Sequence, residues 1–533
     1  MRKYPLSLLV SLLLVACGGG GGPAPLAVEH DHPFPEAALD VEVYASHDDR
    51  LLTFVDGESG ELLDTLPFEP EGDGVTLMAV LAGNYDRQEE VYQGVSRLGI
   101  LYRHLGEIFF RDFTDPELPV HPVAAVGEGG PPCELYVIGD TDTPANLRRL
   151  VFSTPGADGD CFAADDNLFQ VADLVPESET PAPAEPLAIR HPGPLPIHDG
   201  LGHLQSILAL TDLGLRRYTT GFADAGLVMP ATEVVPVVSQ PGRLVLLVDG
   251  ELHAFDAQGK ATALGFSPAV GTGPEPFSDQ LVRGDHLYLA ERVGSGFPDI
   301  AGYELWKIDL TGMEPPERLR SERAGGLELF HMAITEDRLA LNTIQWFTGR
   351  NRVIALDPAA PASVVELVES LVPLTFFLSA RGDRLFLNRY NGLEAPEALV
   401  VTEAGEVIER HPASLWSGLV AEEILEGGVD VLPNFVPAAL ALVSGDVSFD
   451  LRTFSLRMGE SQLMIADPLT GELTSMLAPE PEDEWISLFG MGRSVLGVIQ
   501  TSGGNDDMAL IDLEKGEAMR LTRTPLSHEF PLP

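Results

Sequence analysis

The feature that most constrains this chain is a recurring strand-and-turn unit. A tight turn opens a short apolar strand four times over. The cases are Gly242-Arg243-Leu244-Val245-Leu246, Asp285-His286-Leu287-Tyr288-Leu289, Asp337-Arg338-Leu339-Ala340-Leu341 and Asp383-Arg384-Leu385-Phe386-Leu387. A second strand follows and often closes on an aspartate, as at Asp256, Asp309 and Asp357. The aspartate starts a turn, seen also at Asp56-Gly57-Glu58-Ser59-Gly60, Asp467 to Gly471 and Asp512 to Gly516. An aspartate carboxylate can bond its own backbone and glycine takes positive φ, so the pair brackets a hairpin. The markers advance by 53 residues from Asp256 to Asp309, by 48 to Asp357, and by 45 from Asp467 to Asp512. A four-stranded unit at this period predicts a β-propeller, because only a ring of such units covers every sheet face.

The expected fold class is therefore all-β, a propeller of seven or eight four-stranded blades over residues 37–533, with two smaller β domains as the alternative. Residues 232–533 hold about six clear units. Residues 37–231 read as irregular blades, interrupted by the proline-rich stretch 175–198. Residues 417–426 carry the one short helical pattern. Leu287, Leu289, Leu339, Leu341, Leu385 and Leu387 are expected to face the cores between blades. Ring closure requires the strands near Met508 to Leu521 to lie beside the segment Val41 to Phe54, since an open ring leaves bare edges.

The amino terminus reads as an address. Arg2 and Lys3 precede an apolar run from Leu6 to Ala16, too short to span a bilayer. It ends in Leu14-Val15-Ala16-Cys17, which resembles the lipobox of bacterial lipoproteins. That resemblance implies a signal peptide over residues 1–16, cleavage before Cys17, and acylation of Cys17, anchoring the protein in a membrane by several chains. Gly18 after the cysteine resembles lipoproteins passed on to the outer membrane, facing the periplasm or the cell surface. Residues 17–36, with Gly18 to Gly22 and Pro23-Ala24-Pro25, form the expected tether.

The repeat body resembles bacterial propellers with quinoprotein-like or Tol-system-like repeats. The Asp-to-Gly turns fit the first, and Met519-Arg520-Leu521-Thr522-Arg523-Thr524-Pro525 with His528-Glu529 fits the second. Quinoprotein repeats place a tryptophan after the glycine turn. Here Trp306, Trp346, Trp416 and Trp485 all lie elsewhere, which argues against a quinone-dependent dehydrogenase.

Charge narrows the partners. The 533 residues carry 81 Asp+Glu against 33 Lys+Arg, a net charge of −48, and lysine occurs only at 3, 260, 307 and 515. Such a field repels a phosphate backbone, so nucleic acid is excluded as a partner. It suits a surface bathed in salt, where charges are screened within a few ångströms.

Few residues suggest chemistry. Cys133 and Cys161 remain once Cys17 is lipidated, and an even pair in an exported chain points to a disulfide. Asp158, Asp160, Asp165 and Asp166 form a candidate calcium loop, although no glutamate closes it as in an EF-hand; an acidic surface turn is the alternative. No other cofactor is indicated. His198-Asp199 with His203, and His30-Asp31-His32 in the tether, have metal-like spacing but no third ligand. His47, His253, His286, His331 and His411 each stand alone near a strand or turn. The chain lacks Gly-x-Ser-x-Gly, His-Glu-x-x-His, a P-loop, and Gly-x-Gly-x-x-Gly after a strand. The expected role is a lipid-anchored scaffold for an envelope protein partner. The alternative is a ligand-binding or hydrolytic propeller with its site at the central channel.

Overall fold

The computed structural model describes residues 41–521 except 47–50, 57–58, 68–75, 82–98, 114–116, 126–133, 140–147, 155–167, 177–183, 201–202, 241, 270–275, 295–298, 336, 349, 371–377, 390–396, 424–434, 451–454, 467–472, 478–479, 481–483, 490–493, 501–505 and 513–516. Every regular element among them is a β-strand. The strands form ten antiparallel sheets in chain order, spanning residues 41–67, 76–125, 134–186, 190–229, 234–263, 277–323, 327–370, 378–412, 414–476 and 484–520. Nine sheets have four strands joined in sequence order and the first has three. This is the β-propeller architecture. Among the described residues the sheets number ten where seven or eight blades are expected, and the irregular region 37–231 holds four of them.

The repeat format maps onto fixed positions. The four turn-opened strands are the second strands of the fifth to eighth sheets. Their leucines are the core residues expected. Leu287 and Leu289 join the core shared with the fifth sheet, Leu339 and Leu341 that with the sixth, and Leu385 and Leu387 that with the seventh. The alternate residues Tyr288, Ala340 and Phe386 are buried in the core on the opposite side. Each blade thus buries both faces, and each such leucine contributes about 1.5–3 kcal/mol relative to exposure.

The marker aspartates end or follow third strands, and their carboxylates organise the turn. Asp309 accepts from the N–H groups of Thr311 at 3.0 Å, Met313 at 2.9 Å and Glu314 at 2.9 Å. Asp256 does the same for Gln258 and Lys260, and Asp357 for Ala359. In seven sheets the pairing of first and second strands contains a register shift, such as Phe277/Asp279 and Leu329/His331. An extra residue there adds twist where the blades converge.

Contacts run through all ten sheets and close on themselves. First strands of neighbouring blades lie side by side in the fourth and fifth, sixth and seventh, and seventh and eighth sheets. Polar bridges reinforce the seams. The Tyr136 hydroxyl donates to Pro192 O at 2.7 Å, and Gly242 N–H to His198 O at 3.0 Å. Asn388 both donates to Trp416 O at 2.8 Å and accepts from its N–H at 2.7 Å, bonding the eighth sheet to the ninth. At the closing seam, Gly60 in the last turn of the first sheet packs on Met519 and Leu521 at the outer strand of the tenth. Gly312 of the sixth sheet meets Thr262 of the fifth in the same way, and Gly405 of the eighth meets Val365 of the seventh. The first sheet therefore follows the tenth as the sixth follows the fifth. The chain ends meet at Gly60, in the turn that follows the expected segment Val41 to Phe54.

Two local expectations are overturned. Residues 417–423 belong to the strand Ser414–Glu423, not to a helix. That strand pairs along its length with Phe435–Asp450, and shifts of register after Gly418 absorb the residues that break alternation. The proline-rich segment does not simply interrupt the blades, because Arg190–His198 is the innermost strand of the fourth sheet. Pro194 and Pro196 occupy alternate positions, opposite Ala209 and Ile207. Their missing N–H groups thus fall along one edge, and an edge strand has one edge without a neighbour.

Candidate functional site

The densest group of buried charge lies where the sixth and seventh sheets meet. Its carriers are Asp279 on Phe277–Arg283, Glu291 and Arg292 on His286–Val293, Glu304 on Gly302–Asp309, and Glu328 on Leu327–Ile334. The four carboxylate residues are 3–7% exposed. Burying them demands donors on every side.

Those donors are present. Glu291 Oε2 accepts from the Trp306 indole at 2.9 Å, and its Oε1 from Ala269 N–H at 2.5 Å. One sheet on, Glu328 Oε2 accepts from the Trp346 indole at 2.8 Å, and Oε1 from Arg292 Nε at 2.8 Å. The same glutamate–indole lock thus appears in consecutive blades. Glu304 is shared by Arg318, Arg323 and Ser321. Asp279 Oδ2 accepts from Met332 N–H of the next sheet at 2.5 Å, with His331 Nδ1 at 3.5 Å. Nearby, Glu322 accepts from Arg352 Nη2 at 3.0 Å and Arg320 Nε at 2.7 Å. Burial pushes the adjoining Tyr303 phenol up to about 12, keeping it protonated across physiological pH.

Asp279 and Glu328 tie the two blades together, while Glu291 and Glu304 are held mainly within the sixth. Beside them the seventh sheet carries partly exposed aromatic side chains. Phe330 is the extra residue at the register shift of the first strand, and Trp346-Phe347 open the turn after the second. Their exposures are 38%, 37% and 61%. Phe347 lies over Gly326, where a Cβ would meet the ring at 2.5 Å, so glycine is required for this approach.

The residues singled out in the sequence are dispersed. Cys17, Cys133, Cys161, Asp158, Asp160, Asp165 and Asp166 lie outside the described residues, as do His30, Asp31, His32 and His47. His198 ends the innermost strand of the fourth sheet and is buried. Desolvation lowers it to about 4, with Asp199 opposing and His203 adding to the shift. Asp199 accepts from His203 N–H at 3.0 Å and Gln205 Nε2 at 3.0 Å, which fixes the hairpin. His253, His286, His331 and His411 belong to three further sheets and the seam itself; His411 stacks edge-on against Trp416 and lies 3.2 Å from Glu409. Among the described residues no three His, Cys, Asp or Glu side chains converge as a metal site. The glutamate–indole locks were missed in the sequence, although a glutamate inside an apolar strand, as in Leu289-Ala290-Glu291 and Leu327-Glu328-Leu329, is a readable signal of a buried partner.

Comparison with known proteins finds low likeness. No protein-family profile matches the chain, and no curated protein does. Among solved structures, a eukaryotic initiation factor is 10% identical with a TM-score of 0.41, covering 92% of this chain and 96% of that one. Porphyromonas gingivalis dipeptidyl peptidase 4 is 10% identical at 0.35, with coverages of 90% and 59%. A puromycin-hydrolysing peptidase of Mycobacterium tuberculosis is 14% identical at 0.31, with coverages of 75% and 55%. The chain spans about half the length of the puromycin hydrolases it matches, 55% and 52%. At these TM-scores the likenesses assign neither a site nor an activity.

Proposed function

We propose that this protein is a lipid-anchored β-propeller of the cell envelope that acts as a protein-interaction scaffold at the outer membrane. The observation that supports it is the division of labour at the sixth and seventh sheets. The acid groups there are engaged inside the fold, while Phe330, Trp346 and Phe347 remain partly exposed. Exposed aromatic side chains beside a fixed framework are the usual anchors of protein interfaces. The address rests on Leu14 to Cys17.

Two experiments test the reading. Cys17→Ser is expected to move the protein from the membrane to the soluble fraction or to leave the precursor uncut. A processed form that still fractionates with the outer membrane overturns the anchor. Crosslinking in envelope membranes is expected to capture a partner that Phe347→Ser loses while the variant keeps its melting temperature. Capture unchanged by Phe330→Ser and Phe347→Ser together overturns this surface as the interface.

A further inference from the structure

Large apolar side chains stand exposed at the turns of one face of the ring. In an antiparallel four-stranded sheet, the turn from second to third strand and the link from fourth strand to the next sheet lie at the same end. Leu105 tips that turn in the second sheet, between Gly99–His104 and Glu107–Asp112. Leu213 tips it in the fourth, between Leu204–Thr211 and Gly214–Tyr218. Leu477 begins the link that leaves Leu473–Met476, the outer strand of the ninth. The three are 68%, 70% and 79% exposed. The opposite face, formed by first-to-second and third-to-fourth turns, carries Asp256, Asp285, Asp357 and Asp383. Among the described residues Met313 is its one exposed large apolar turn residue.

The turn itself does not call for Leu105. Leu105 and Gly106 have φ of 50° and 79°, the two-residue hairpin turn in which both central residues are left-handed. The fifth sheet makes the same turn at the same place with Asp249 and Gly250, at 47° and 81°. Aspartate accepts that conformation by bonding locally, whereas leucine is strained in it and here gains nothing from burial.

The three tips share one arc of the ring. The ninth, tenth, first, second, third and fourth sheets follow one another across the closing seam of Gly60 and Met519. The first sheet, in the middle of that arc, begins at Val41, the described end nearest Cys17. No more than about 80 Å of extended chain separates Cys17 from Val41. The turn at Trp346-Phe347 shares the face, but the seventh sheet lies across the ring, five sheets from the second.

We propose that this arc of the ring face rests on a lipid surface, with Leu105, Leu213 and Leu477 entering the boundary between headgroups and acyl chains. The tips stand singly on separate sheets. A protein partner needs a separate pocket for each, whereas that boundary takes apolar side chains at any spacing. The net charge of −48 opposes anionic headgroups, so the surface is a zwitterionic one. The ring tilts onto its ninth-to-fourth side, and the aromatic groups of the seventh sheet stay clear for a protein partner. The proposal deepens the membrane address read at Cys17 and is tested apart from it.

The full chain is attached through a carboxy-terminal histidine tag to vesicles of phosphatidylcholine and phosphatidylethanolamine doped with nickel-chelating lipid. The tag brings it to the surface whether or not Cys17 is acylated. A benzophenone amino acid replaces Leu105, Leu213, Leu477 or Met313 singly, and the vesicles are irradiated. Lipid adducts at the three leucine positions are expected to exceed those at Met313 by at least about tenfold. Leu105→Asn with Leu213→Asn is expected to cut the adduct at position 477 at least about threefold, while the melting temperature holds or rises because asparagine suits the turn. Equal labelling at Met313 overturns the proposal, and so does an adduct at 477 indifferent to the double variant. In envelope membranes, adducts at the three positions with protein rather than lipid assign the face to a protein partner and also overturn it.

Discussion

Single side chains at the blade seams carry measurable consequences. Trp346→Phe keeps a ring but removes the indole donor to Glu328 Oε2. Leaving a buried carboxylate oxygen short of a donor costs about 1–3 kcal/mol. Chemical denaturation is expected to show that loss, and Phe347→Ser, one residue on, to show almost none. His198 titrates in the opposite sense from a salt-bridged histidine. Burial lowers its folded pKa to about 4 from an ordinary value of 6.5. Above pH 6.5 both states are neutral there. As pH falls from 6.5 toward 4 the unfolded chain takes up the proton and the folded one does not, so stability is lost across that window. His198→Gln is expected to flatten the fall in denaturation midpoint between pH 6.5 and 4.

Strands and turns decide how far the sequence could be read. The aspartates at 256, 309 and 357 were legible because one carboxylate makes several local hydrogen bonds, and a local bond leaves a local signature. The strand at 414–423 was not, because Glu422 and Glu423 mimic helical spacing and the deciding partner, Phe435–Asp450, is remote in sequence. Pro194 and Pro196 misled for a related reason: their acceptability depends on which edge of a sheet they occupy. The buried carboxylates depend on partners 14 to 53 residues away and were invisible as a group. The cysteines fall between these cases. Glu134, the neighbour of Cys133, pairs with Ser153, and Leu168, after the segment holding Cys161, pairs with Thr154. The described strand ends that flank these two segments, Glu134, Thr154 and Leu168, lie at one end of the third sheet. A bridge closing about 29 residues stabilises by about 3 kcal/mol in the chain-entropy model. Mass labelling of the unfolded, unreduced protein is expected to find neither thiol at 133 or 161 free; labelling of both would exclude the bridge.

At the scale of the whole molecule, charge and closure govern behaviour. A net charge of −48 on one chain repels itself, and salt relieves that repulsion. The melting temperature is expected to rise from dilute buffer into molar salt, and a flat or falling profile would remove the halophilic reading. The outer strands manage their open edges with charge, as in Glu317–Arg323, where Arg320 and Glu322 pair along the strand.

The contact of Gly60 with Met519 also sets an order in time. These residues are 459 positions apart, and every other seam joins blades adjacent in the chain. A chain that emerges from its amino terminus can stack blade on blade as it is made. Its first sheet must wait, with one side bare, until almost the last residue has appeared. Distant pairings form slowly because a large loop must be closed before any contact repays it. The seam is thus the last part of the ring to form and the first opening through which an unfinished chain would meet another.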